Sequence, residues 1–269
     1  MSYDPAKSKW APQIKTYGEG AERGQRILIF GEAGVGKTTL AATWPKPWFI
    51  DLDLGETNEE RDRQLRYITF PTKNVFVNVQ RILTDFKNRQ DVFDPDGGPL
   101  ADRETVVIDT WTTINEYILA DLAGAAIGSK TAIDLAMERA SIQQYGFLAT
   151  RQDALTTLIK EISMTGRNVV IICMSMVEGS EEEKKIAKPG ELKTTFEEGI
   201  GIPNLVGKYK YKIGGCYDEQ YYLRFADSGS TRVLHTQKYG IWRAKTRRRL
   251  PATIIDPTFD KIQNAAARQ

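Results

Sequence analysis

Apolar residues along this chain fall in short unbroken runs that alternate with longer segments of helical spacing. Arg26 to Phe30 (RILIF), Trp48 to Leu52 (WFIDL), Thr105 to Ile108 (TVVI) and Asn168 to Met174 (NVVIICM) are brief and rich in β-branched residues. Such runs predict strands covered on both faces. Between them, Lys37 to Thr43 starts a helix that Trp44-Pro45 should stop, because proline disfavours the helical conformation in the residue before it. Val75 to Lys87 sets Val79, Ile82, Leu83 and Phe86 on one helical face, and Thr112 to Leu122 and Met137 to Met164 also read as helices. The alternation predicts an α/β fold: a mostly parallel twisted sheet with helices on both faces, opened by a βαβ unit.

The pattern changes after Met176. Glu178 to Gly201 is polar, contains Pro189-Gly190 and reads as a long loop, which in a compact domain tends to be functional or disordered. Gln220 to Phe225, Thr231 to Thr236 and Gly240 to Lys245 follow as predicted strands, the first two joined by a turn at residues 227–230, so the sheet is expected to finish antiparallel. Residues 1–24 read as a polar tail that docks on the body or on a neighbouring subunit. The folded core is expected over 25–255, with 256–269 as a C-terminal tail in which Lys261 to Gln269 is a short extension or helix.

Composition removes several chemistries. Two cysteines, Cys173 and Cys216, and one histidine, His235, cannot build a structural zinc cluster or a disulfide framework. Cys173 sits within an apolar strand and reads as a core residue. No run approaches the ~18 apolar residues of a membrane span, and no signal peptide is evident, so a soluble, intracellular protein without a membrane partner is expected. Lys and Arg number 37 against 35 Asp and Glu, a formal charge of +2, so any polyanion-binding surface must be local.

One motif is complete. Gly31-Glu32-Ala33-Gly34-Val35-Gly36-Lys37-Thr38 matches GxxxxGK[ST] and lies between a predicted strand and a predicted helix. Glycines let backbone N–H groups turn inward around phosphates, Lys37 reaches the β and γ oxygens, and the Thr38 hydroxyl ligates magnesium, with Thr39 next in the helix. ATP and Mg²⁺ are therefore the expected ligands. Asp109 ends the TVVI strand, where a carboxylate reaches the metal at the carboxyl edge of the sheet; capping of the next helix is its structural alternative. Asp51 and Asp53 close the WFIDLD strand on one face, and Asp53, lying further out, is the candidate for orienting the attacking water. The alternative is that both are solvated strand-end acids.

Taken together, GEAGVGKTT after a strand, FIDLD, VVIDT and VVIICMS resemble the core of RecA-like P-loop NTPases. The resemblance runs from Gln25 to Ile255 and is nearest to the short phage RecA-core proteins that act as single-strand annealing recombinases. It implies ATP hydrolysis, a homo-oligomeric filament or ring, single-stranded DNA as partner with a single-strand-binding protein as a further one, and, if phage-encoded, the cytoplasm of a bacterial host. Asp53 stands where such ATPases usually carry a glutamate, one methylene longer, which implies slow turnover. The usual Gln or His sensor falls near Ser175. Lys245 and Arg247 resemble the basic pair that RecA proteins present to the ATP of the adjacent subunit; a basic solvated strand is the other reading.

DNA contact is expected, by the same resemblance, in the loop after the fourth strand, with Lys184, Lys185, Lys188 and Lys193, although Glu181, Glu182, Glu183, Glu191, Glu197 and Glu198 outnumber them. Lys208-Tyr209-Lys210-Tyr211-Lys212 interleaves cations and aromatics. Its alternation says strand and the RecA-like order says helix; Lys208 and Lys210 are further candidates for DNA, the alternative being lysine stems that cover a half-buried tyrosine face. The clearest basic excess lies at 231–269, with nine Lys and Arg against two acids, a local net of +7. Two other functions fit the P-loop: a nucleotide-switched replication loader or adaptor, and a small-molecule kinase, for which no acceptor site is evident.

Overall fold

The computed structural model describes residues 23–52, 66–68, 74–88, 102–124, 138–179, 199–227 and 229–268. Asp53, Lys184, Lys185, Lys188, Lys193 and nearly all of the N-terminal tail lie outside the described residues.

The elements in chain order are β1 (Arg26–Gly31), α1 (Lys37–Ala41), β2 (Pro47–Asp51), β3 (Arg66–Ile68), α2 (Val75–Asn88), β4 (Thr105–Asp109), α3 (Trp111–Leu122), α4 (Ile142–Met164), β5 (Asn168–Glu178), β6 (Ile200–Pro203), α5 (Tyr209–Cys216), β7 (Glu219–Phe225), β8 (Arg232–His235), β9 (Thr253–Ile255) and α6 (Phe259–Ala267). The sheet order is β3-β2-β4-β5-β1-β7-β8-β9, with β6 paired to β5. Strands β1 to β5 and β7 run parallel where they pair, and β6, β8 and β9 are antiparallel to their neighbours. The expected α/β sheet with antiparallel C-terminal strands is therefore present. One strand, β5, separates β1 from β4.

Each face of the sheet has its own core, because alternate residues of a buried strand point to opposite sides. Leu28, Phe30, Ile50, Val106, Ile108, Val169 and Ile171 pack with Val79, Leu83, Phe86, Ile114, Leu155 and Ile159 of α2, α3 and α4. On the other face Ile27, Ile29, Phe49, Val107, Val170 and Ile172 meet Leu40, Trp44 and Ile262. Helix α6 closes that second face: the Phe259 ring lies 5.5 Å from Trp44, and the Phe259 N–H donates to Thr43 Oγ1 at 2.8 Å. Within the segment read as a short tail or helix, α6 thus adds Ile262, with Ala265 and Ala266 packed beside it, to the core.

One sequence expectation needs correction. Gly240 to Lys245 is not a strand. Its hydrogen bonds divide among three partners, Ile241 O and Arg243 N with Gly201, Trp242 with Tyr239, and Lys245 with Gln220, so no continuous ladder forms. Trp242 fills the space beside Gly201, where a Cβ would come 2.2 Å from its ring. Of the two readings of Lys208 to Lys212, strand and helix, the helix is the one present: Lys208 stands just before α5, Tyr209 and Ile213 are buried four apart, and Tyr211 is exposed.

Candidate functional site

The phosphate loop joins β1 to α1 at the carboxyl edge of the sheet. Gly34 and Gly36 take φ of 75° and 88°, the left-handed region where a side chain is strained, and Gly36 is the residue before the first turn of α1. Gly31 answers a different demand: a Cβ there would come 2.2 Å from the carbonyl oxygen of Leu223 on β7, so only glycine lets these backbones meet. Val35 is buried and anchors the loop, whereas Glu32, Ala33 and Gly34 are exposed at its rim.

Lys37 is buried, and its Nζ donates to the carbonyl oxygens of Gly31 at 3.1 Å and Glu32 at 2.6 Å, with Met174 Sδ at 3.5 Å. The ammonium is thereby held inside the loop's curve, where phosphate oxygens are stronger partners than carbonyls. Thr38 Oγ1 donates to Asp109 Oδ2 at 2.6 Å, which brings together the two metal-ligand candidates chosen from sequence. Asp109 is on the α1 side of the sheet because it shares the parity of Val107, and the following residue Thr110 caps α3 by accepting from the Thr113 N–H at 3.2 Å. The capping role thus belongs to Thr110, leaving the Asp109 carboxylate facing Thr38. Among the described residues no group of three or more His, Cys, Asp or Glu could cage a metal by itself. A hydroxyl and one carboxylate suit a hard cation such as Mg²⁺ that takes its remaining oxygens from phosphates and water.

Asp51 pairs in register with Asp109, and the Leu52 N–H donates to the Asp109 carbonyl at 3.1 Å, so β2 ends beside the loop. Asp53 follows two residues on. Ser175, the expected sensor position, is paired with Pro203 of β6; the β5 residue that reaches Lys37 is its neighbour Met174. The sequence reading missed Thr112 as well. Its hydroxyl donates to Asn204 O at 2.9 Å and accepts from Met174 N–H at 3.1 Å, tying α3 and β5 together just behind the lysine. Cys173, buried beside this group, has its thiol pushed far up by burial and stays protonated. Arg232, at the start of β8, was also missed: a Cβ on Gly36 would come 2.8 Å from its Nη1. Only a contact between distant parts of the chain reveals it.

Lys245 and Arg247 do not join the phosphate loop of their own chain. Lys245 pairs with Gln220, which lies opposite Leu28 in the middle of β1, and Arg247 Nη1 binds Asp218 Oδ1 at 3.0 Å near the strand's start, the edge opposite Gly31. Asp218 also takes Arg26 Nη2 at 2.7 Å and Nε at 3.0 Å. Burial alone would raise its carboxyl, but Arg26 and then Arg247 outweigh that and hold it below the usual carboxylate value. Burial and the charge of Arg247 lower Lys245. Lys210 is ion-paired to Glu178 at 2.7 Å, at the end of β5, while Lys208 is exposed. Lys238, Arg243, Arg247 and Arg249 are exposed; Arg248 instead turns inward to Glu219, Tyr221 and Gln263 of α6. No helix among the described residues is long and apolar enough to cross a membrane.

Comparison with known proteins adds three solved structures of low similarity. They are the RadB recombinase (TM-score 0.44, 15% identity, covering 89% of this chain and 88% of that one), the flagellar accessory protein FlaH from Methanocaldococcus jannaschii (0.42, 13%, 88% and 87%), and a KaiC-like protein from Pyrococcus horikoshii OT3 (0.41, 13%, 89% and 93%). Likeness of that size bears on neither activity nor partner. No curated protein matches the sequence. The AAA domain family does match, over residues 23–248, a span that includes the phosphate loop, Thr38, Asp109 and the β7–β8 hairpin. With most of its length inside that match, the chain belongs to the AAA domain family of P-loop ATPases, which use a nucleotide and typically Mg²⁺.

Proposed function

We propose that this protein is an ATP-binding and slowly hydrolysing, oligomeric protein that binds single-stranded DNA and promotes annealing or strand pairing. The observation that carries the nucleotide reading is the convergence of Lys37, Thr38 and Asp109 on one loop at the carboxyl edge of the sheet. The P-loop N–H groups and Lys37 bind the β- and γ-phosphates, and Thr38 and Asp109 hold Mg²⁺, which supplies charge neutralisation at the phosphates. Asp53, beyond the end of β2, is assigned to orienting the attacking water. Lys245 and Arg247, which do not join their own phosphate loop, are assigned to a neighbouring subunit's ATP.

The DNA limb draws on the RecA-like sequence pattern and on the surplus of cations at 231–269, six of which are exposed. Polyphosphate binding follows such a local field more than net charge. The test is anisotropy of a labelled single-stranded oligonucleotide with an ATP analogue, ADP or no nucleotide, together with ATPase rates with and without DNA. Nucleotide-dependent DNA binding and DNA-stimulated turnover are expected. ATPase activity with no DNA binding in any nucleotide state would overturn the annealing reading in favour of a loader or adaptor.

A further inference from the structure

Arg232 opens β8, opposite Phe225, and its backbone is fixed from both sides. Its N–H donates to Asp256 Oδ1 at 3.1 Å, and its carbonyl accepts from the Asp256 N–H at 2.7 Å. From this anchored position the side chain reaches Gly36 of the phosphate loop. A Cβ built on Gly36 would meet Arg232 Nη1 at 2.8 Å, Cδ at 3.1 Å and Cζ at 3.7 Å, so stem and guanidinium both lie against the residue that precedes Lys37 and Thr38.

Other arginines of β1 and of the C-terminal half have carboxylate partners. Arg26 and Arg247 share Asp218, Arg224 holds Asp227, and Arg248 holds Glu219. Among the described residues no carboxylate pairs with the Arg232 guanidinium; Asp256 bonds its backbone instead. A partly covered guanidinium without an anion gives up hydration for no protein partner, which is costly unless a ligand supplies the charge. The feature beside it is a glycine loop at the start of a helix, built to receive a polyphosphate.

We infer that Arg232 is a nucleotide-binding residue in cis, its guanidinium holding triphosphate oxygens on the Gly36 side of the loop opposite Lys37. This rests on the nucleotide reading proposed above. It also gives the antiparallel extension β8–β9 a role in the site: the turn at Asp256 sets the backbone of Arg232, and α6 behind it packs on Trp44 at the end of the α1 turn.

The experiment is calorimetric titration of wild type, Arg232→Ala, Arg232→Gln and Arg232→Lys with MgATP and, separately, with inorganic tripolyphosphate, alongside thermal denaturation of each variant. Loss of one charge-assisted contact should weaken both ligands roughly 10- to 100-fold in the Ala and Gln variants at an unchanged melting temperature, with Lys recovering part. Gln keeps the stem over Gly36 and serves if the Ala variant melts early. Unchanged affinity for both ligands overturns the inference alone. Weakened MgATP with unchanged tripolyphosphate also overturns it, by moving the contact to the base. Wild type that binds neither ligand overturns the nucleotide reading itself.

Discussion

The Thr38 hydroxyl donates to Asp109 Oδ2 at 2.6 Å, so a residue of the phosphate loop and a residue two strands away in the sheet share one hydrogen bond. Both atoms are oxygens suited to the same hard cation. Asp109→Asn keeps an acceptor for Thr38 but removes the charge. It is expected to leave the melting temperature nearly unchanged and to lower affinity for MgATP about 10-fold or more, towards the value measured in EDTA. Titrations with and without Mg²⁺ decide it; a variant that retains the full Mg²⁺ dependence would remove Asp109 from the metal site.

Arg248 and Arg249 are neighbours with opposite duties. Arg248 lies 3.6 Å from the buried Glu219 and donates to Tyr221 OH and Gln263 Oε1 at 3.0 Å each, whereas Arg249 is exposed. Arg248→Ala leaves a buried carboxylate with fewer partners and unpins α6, so a loss of about 2–4 kcal/mol in urea unfolding is expected. Arg249→Ala is expected to leave stability within about 0.5 kcal/mol and to reduce the salt dependence of oligonucleotide binding. The reverse assignment of effects would refute this division.

His235 is buried between Tyr222 and Tyr239, and its Nε2 accepts from Arg224 Nε at 3.1 Å, which requires the neutral ring with its proton on Nδ1. Burial, then the charge of Arg224, lowers its pKa to about 4 from 6.5. The unfolded chain binds this proton more readily, so the contribution of His235 to stability is complete above about pH 6.5, falls as pH drops towards about 4, and declines no further below that. Urea midpoints for wild type and His235→Gln at about pH 7.5 and about pH 5 should show the larger loss on acidification in wild type. Equal losses would show that the histidine is protonated in the fold.

What the sequence disclosed depended on how local the cause was. The phosphate loop was legible because eight consecutive residues carry its geometry, and Asp109 because a buried strand that ends on a carboxylate points it to the ligand edge. The Lys-Tyr-Lys-Tyr-Lys run was ambiguous because it fits a period of two. The deciding fact is that Tyr209 and Ile213 are buried, the tyrosine hydroxyl sharing a hydrogen bond with Thr156 of α4, while Tyr211 is exposed. Gly240 to Lys245 looked like a strand because its composition suits one, yet its hydrogen-bond partners in the sheet, Gly201 and Gln220, lie on β6 and β7, which do not pair with each other. Arg232 carried no local signal, since its meaning comes from Gly36 at the other end of the chain.

Asp53 tests the chemistry itself. β2 ends beside Asp109, and Asp53 follows Asp51 by two residues in the sequence. Asp53→Asn is expected to bind MgATP normally and to lower turnover about 100-fold, the scale of a lost general base. Unchanged turnover, measured as phosphate release, would transfer the role to another group.

Lys245, beside the middle of β1, and Arg247, at the edge away from Gly31, make a distinct prediction about assembly. If they serve a neighbour's ATP, a Lys245→Ala subunit retains a sound phosphate loop but gives its neighbour no cation, and a Lys37→Ala subunit does the reverse. Each variant alone is expected to be inactive. In mixed oligomers, a Lys245→Ala loop facing a Lys37→Ala subunit is complete, so mixing should restore a fraction of turnover that peaks near equal proportions. Subunit exchange is verified independently by fluorescence transfer between labelled chains. Exchange without any recovered phosphate release would place both residues outside the catalytic site and leave Arg247 as the partner of Asp218.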